Sequence, residues 1–173
     1  YKTPAHIGTI RNVNVTAAYR AIQNGDAGNY LNVIDEIGVG AQVTSNTNGE
    51  AVYNANKNAQ IKSIKNGTYT AATADHYAVY NDGTTYAITI EGGYFKGGLS
   101  STANRDHAIY QPDEPKRQTY PEGGYTLSNK PNKDGYYYIT NKFTIKFDPN
   151  DSADEPMNET PALPDKWTVN LSE

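Results

Sequence analysis

Two Asp–His pairs, Asp75-His76 and Asp106-His107, with Arg105 beside the second, are the residues of this chain best suited to moving protons. Imidazole exchanges a proton near neutral pH, a carboxylate orients it, and a guanidinium can neutralise charge that develops on a substrate. A base with a charge neutraliser is what eliminative cleavage of a polysaccharide needs, whereas hydrolysis needs paired carboxylates. Tyr77 and His107 each stand directly before an Ala-aliphatic-Tyr phrase, Ala78-Val79-Tyr80 and Ala108-Ile109-Tyr110. The two Asp–His pairs therefore fall in almost the same slot of a repeat and are expected on one edge. A polar corner uses the same residue types, and nothing in the spacing demands catalysis.

Tyr53, Tyr80 and Tyr110 recur in one repeat position, with Tyr77 and Tyr94 close in sequence to them. An aromatic face with a hydroxyl suits the amphipathic surface of a sugar ring, so this set is the candidate ligand-binding column. A third pattern, Asp148, Asn150, Ser152 and Asp154 with Glu159 at the twelfth place, has the oxygen spacing of a Ca²⁺ loop. Ala153 stands where such a loop turns on glycine, and Pro156 lies inside it. A solvated acidic segment accounts for it without a metal or any other cofactor.

The elements that must position these side chains follow from self-similarity. One phrase reads Ala21-Ile22-Gln23-Asn24, Ala51-Val52-Tyr53-Asn54, Ala78-Val79-Tyr80-Asn81 and Ala108-Ile109-Tyr110-Gln111, with Tyr138-Ile139-Thr140-Asn141 as a degenerate fifth copy. A second phrase begins at Ile10, Ile37, Ile64 and Ile90, with Pro121 opening the fifth copy. No copy supplies the apolar spacing of a helix. The runs are short, rich in β-formers and broken by Gly or Asn, which predicts a coil of parallel strands, each pairing with its equivalent about 4.8 Å above and below. Five rungs would stand about 24 Å tall. Alternation turns Ile22, Val52, Val79, Ile109 and Ile139 inward, makes Asn24, Asn54, Asn81, Gln111 and Asn141 an amide ladder, and leaves the residues between them, Tyr53, Tyr80 and Tyr110 among them, outside.

With both phrases in view, the chain resembles the pectin-lyase-like superfamily. More narrowly it resembles the Gly-Gly-aromatic rungs of large surface proteins from Gram-positive gut bacteria. Ile90-Glu91-Gly92-Gly93-Tyr94-Phe95, Tyr120-Pro121-Glu122-Gly123-Gly124-Tyr125 and Asp134-Gly135-Tyr136-Tyr137-Tyr138-Ile139 carry the likeness. It implies an all-β, single-stranded, right-handed parallel β-helix of about five rungs over residues 1–147. Residues 148–173 would be an acidic, Pro-containing linker or a C-terminal cap, where Trp167, Val169 and Leu171 alternate like one short strand.

Composition agrees with many short strands and turns. The chain has 15 Tyr against three Phe and one Trp, no Cys, and a hydrophobic fraction of 36%, with a mean hydropathy of −0.76. The net charge of −4 divides into seven acids and one base in residues 148–173, hence −6 there and +2 in the rest. Neither part has the basic stripe of a nucleic-acid binder, and no apolar run reaches membrane-spanning length. The start at Tyr1 fits a mature segment or a piece of something longer. The expectation is a non-catalytic extracellular domain of a bacterial surface protein, an adhesin binding glycans or host glycoproteins. The alternatives are a polysaccharide lyase or glycoside hydrolase, and a structural spacer rod. Open strand edges at the ends of a coil predict end-to-end homo-association unless they are capped.

Overall fold

Short β-rich runs separated by Gly and Asn corners lay down three strands per turn. The computed structural model describes residues 4–25, 30–73, 75–82, 85–97, 108–110 and 125–141, all within one compact unit, Tyr1–Phe143. The first rung is β1 (His6–Ile10), β2 (Asn14–Ala17) and β3 (Ile22–Asn24). The second is β4 (Asn32–Ile37), β5 (Ala41–Ser45) and β6 (Val52–Asn54). The third is β7 (Ala59–Ile64), β8 (Gly67–Thr70) and β9 (Val79–Asn81). The fourth is β10 (Thr89–Ile90), β11 (Tyr94–Lys96) and β12 (Ile109–Tyr110). Each strand pairs in parallel with its equivalent in the next rung, giving three sheets: β1-β4-β7-β10, β2-β5-β8-β11 and β3-β6-β9-β12. The protein is an all-β parallel solenoid.

The repeat phrases predict the register. Ile10, Ile37, Ile64 and Ile90 stand opposite one another along the first sheet, and Ile22, Val52, Val79 and Ile109 along the third. The second sheet turns Val15, Val43, Tyr69 and Phe95 inward. Ile37, Ile64, Ile90, Val43, Tyr69, Phe95, Val52 and Val79 are fully buried, each such side chain contributing about 1.5–3 kcal/mol. The Tyr69 and Phe95 rings stack 5.2 Å apart inside the coil. The Tyr69 hydroxyl, 3.5 Å from the Ile37 carbonyl, is pushed far up in pKa by burial.

The corner between the first and second sheets needs left-handed backbone. Asn12 and Asn66 supply it at φ 51° and 36°, a conformation that Asn tolerates better than most residues. The rung that follows each of them places a glycine against its amide. A Cβ at Gly40 would collide with Oδ1 of Asn12, and one at Gly92 with Oδ1 of Asn66.

Among the described residues no fifth parallel rung is formed. They supply four parallel strands per sheet, and hence about three turns. The phrases expected to continue the coil are instead β13 (Tyr125–Leu127) and β14 (Tyr137–Asn141). They pair antiparallel with each other, and β14 runs antiparallel along β11. Ile139 therefore faces Leu127 rather than extending the Ile22 column. Local turn chemistry explains the reversal. Oδ1 of Asn132 accepts from the Asp134 and Tyr136 amides at 3.0 Å each. The Asn132 amide bonds the Tyr136 carbonyl at 2.8 Å, and Gly135 takes φ 83°. A hairpin closed this tightly forms before a long-range parallel pairing can.

Candidate functional site

The phrase that builds the third sheet also places a polar cleft where the chain arrives from the second. The residues before the repeated Ala21, Ala51 and Ala78 are Arg20, Glu50 and Tyr77, so rung stacking sets a cation directly below a carboxylate. Glu50 is 9% exposed. Its Oε2 accepts from Arg20 Nε at 3.1 Å, and its Oε1 lies 3.3 Å from His76 Nδ1. The other imidazole nitrogen, Nε2, meets Oδ1 of Asn48. The imidazole is thus held at both nitrogens, by a carboxylate on one side and a side-chain amide on the other. Tyr19, Arg20, Gln23, Asn48, Gly49, Glu50 and His76 line an open cleft of about 460 Å³. Tyr19 is 65% exposed at its rim.

Beside the cleft the outer tyrosines stack in register. Tyr53 and Tyr80 lie 5.4 Å apart at 15°, and Tyr80 and Tyr110 lie 4.4 Å apart at 9°. Tyr77 leans on both Tyr80 and Tyr110 at 5.8 and 5.5 Å. The Arg20 guanidinium sits 3.5 Å above the Tyr53 ring, a cation–π contact that continues the column into the first rung. Burial pushes the Tyr53 hydroxyl up, partly offset by Arg20. Burial, reinforced by Asp82 and the adjoining phenols, pushes the Tyr80 hydroxyl up to about 12. Because the rings cover one another, Tyr80 presents its edge and hydroxyl outward rather than its faces.

Inside the coil, three of the five amides expected in the ladder stack, while Gln111 lies outside the described residues and Asn141 is in β14, opposite Tyr125. Asn24 Nδ2 donates to Asn54 Oδ1 at 3.0 Å, and Asn54 Nδ2 donates to Asn81 Oδ1 at 2.8 Å. Nδ2 of Asn24, Asn54 and Asn81 also donates to the Gln60, Ala59 and Tyr86 carbonyls, respectively, at 2.9–3.0 Å. The ladder fixes the sheet on whose outer side the tyrosines stand.

The structure divides the candidates read from sequence. His76 is in the cleft with Glu50, and its neighbour Asp75 is exposed, its amide bonded to Thr73 Oγ1 at 3.3 Å. Arg105, Asp106 and His107 lie outside the described residues, as do Asp148, Asn150, Ser152, Asp154 and Glu159. Tyr53, Tyr77, Tyr80 and Tyr110 form one group. Tyr94 is in the second sheet, opposite Tyr138 with rings 6.4 Å apart. Sequence reading missed Arg20, Asn48 and Glu50. For Arg20 and Glu50 the signal is the position before the repeated Ala, which reads Arg, Glu, Tyr and His in successive copies; Asn48 has no such signal.

Chemically, the cleft holds a base with an orienting carboxylate, but Glu50 is the one carboxylate lining it among the described residues. The paired acids that hydrolysis uses are not both found among the described residues that line it. Among the described residues no cluster of His, Asp and Glu could hold a metal ion, and no helix is long and apolar enough to cross a membrane. Compared with known proteins, the chain matches no family model, no curated protein and no solved structure.

Proposed function

We propose that this solenoid is a non-catalytic glycan-binding domain of an extracellular, adhesin-type bacterial surface protein. The observation that carries the reading is the open cleft in which a buried, doubly held carboxylate, two amides and a guanidinium converge beneath the exposed ring of Tyr19. Sugar recognition uses fixed planar polar groups for the hydroxyls and an adjacent aromatic ring for the C–H face. Tyr53, Tyr80 and Tyr110 extend the surface with a row of hydroxyls. Host glycoproteins are partners of the same chemistry.

A glycan array followed by calorimetry on the best oligosaccharide tests it. Tyr19→Ala is expected to weaken binding about tenfold by removing the rim ring. Tyr80→Phe is expected to weaken it less, by one hydroxyl. An array without any binder, or affinity indifferent to both changes, sinks the proposal.

A second reading, polysaccharide cleavage, draws on His76 held by Glu50, which is the arrangement of a base and its orienting acid. Incubation with acidic and neutral polysaccharides separates the two. Unsaturated or reducing ends that vanish in His76→Ala would replace binding by catalysis.

A further inference from the structure

Asn-Gly occurs three times in the chain, at Asn24-Gly25, Asn48-Gly49 and Asn66-Gly67. A glycine has no Cβ to obstruct its nitrogen, which can therefore approach the carboxamide carbon of the asparagine before it. The fold treats the three pairs differently. Asn24 lies in β3, 6% exposed, with its amide committed to the ladder. The Asn66 carboxamide packs against Gly92, and Gly67 pairs with Ala41 at the start of β8. Asn48 is exposed in the corner between β5 and β6. The Gly49 N–H has no acceptor among the described residues. Oδ1 of Asn48 meets Nε2 of His76, whose Nδ1 lies 3.3 Å from Glu50 Oε1. The imidazole of the cleft, with its carboxylate behind it, is aimed at the chain's own side chain.

We propose that Asn48 is a self-modification site, where the folded chain converts its carboxamide to a carboxylate with His76 as the general acid. In its protonated form the imidazole donates Nδ1–H to Glu50 and Nε2–H to Oδ1 of Asn48. That second bond draws electrons from Cγ and stabilises the charge that collects on Oδ1. The Gly49 nitrogen gives its proton to solvent, and its electron pair forms a bond to Cγ. The Cγ–Nδ2 bond then breaks, Nδ2 leaves as ammonia with a proton from His76, and a five-membered succinimide remains. Water adds to one ring carbonyl and opens the ring to aspartate or isoaspartate. Amide and water thus become carboxylate and ammonium, with no change of oxidation state. The product puts a second carboxylate in the cleft with Glu50, whether or not the cleft takes a glycan.

The full-length chain, held folded near neutral pH and sampled over weeks, is digested and its peptides are weighed by mass spectrometry. The Asn48 peptide should become one mass unit heavier about tenfold faster than the Asn24 and Asn66 peptides. In urea, where the fold is gone, the three rates should converge. His76→Gln should slow conversion at Asn48 in the folded chain about tenfold and leave the rate at Asn66 unchanged. Equal rates at Asn48 and Asn66 in the folded wild type overturn the proposal, which holds even if the variant fails to fold. A folded His76→Gln chain that converts Asn48 as fast as the wild type overturns it too.

Discussion

At the scale of single residues, the buried amides and the outer phenols do opposite work on the same short strands. Asn54 is fully buried, and both ends of its amide are engaged. Asn54→Leu strands the Asn24 donor, the Asn81 acceptor and the Ala59 carbonyl at once. A loss of about 2–4 kcal/mol is expected in urea unfolding. Gln42→Ala, on the outer side of β5, should change stability by no more than about 0.5 kcal/mol. Equal effects would mean that the ladder decorates the fold and does not hold it.

Tyr80 gives a pH dependence of known sign. Its hydroxyl is raised from 10.0 to about 12, so between those values the folded chain keeps a proton that the unfolded chain has released. Stability is therefore whole below about pH 10 and falls as pH rises toward 12. Urea midpoints taken across this window should fall less steeply in Tyr80→Phe than in the wild type. Parallel slopes would remove the stacked column as the cause.

At the scale of elements, the hairpin is the piece that the repeat does not determine. Asn132→Ala removes two side-chain acceptances and should loosen β13 and β14 by about 1–2 kcal/mol. Hydrogen exchange should quicken there while the β4–β7 pairing keeps its protection. The same hairpin shows where sequence legibility ends. Ile22, Val52, Val79 and Ile109 could be aligned because three or four neighbouring residues repeat with them. The Tyr138-Ile139-Thr140-Asn141 phrase shares only the alternation, and period-two alternation is satisfied equally by a parallel and an antiparallel neighbour. Direction was therefore open, and the turn at Asn132–Gly135 decided it.

The cleft was half legible for a related reason. His76 stands out by residue type, but the carboxylate it meets is that of Glu50 and not that of the adjacent Asp75. Adjacent residues in an extended segment diverge, whereas residues one repeat apart stack, and Glu50 is one repeat away. The pairing of Arg20 with Glu50 follows the same rule. In a coil, the column read down the repeats carries more site information than the neighbourhood read along the chain.

At the scale of the whole molecule, stability in a stack of rungs is a sum of neighbour contacts, so protection should grade along the axis. Rungs two and three have neighbours on both sides, and the fourth has β14 along its second sheet. Among the described residues, the first has a neighbouring rung on one side. Native-state hydrogen exchange should rank the amides of β4, β5, β7 and β8 slowest and those of β1 and β2 fastest. Equal exchange rates in all four rungs would mean that the coil opens as one cooperative unit and not rung by rung.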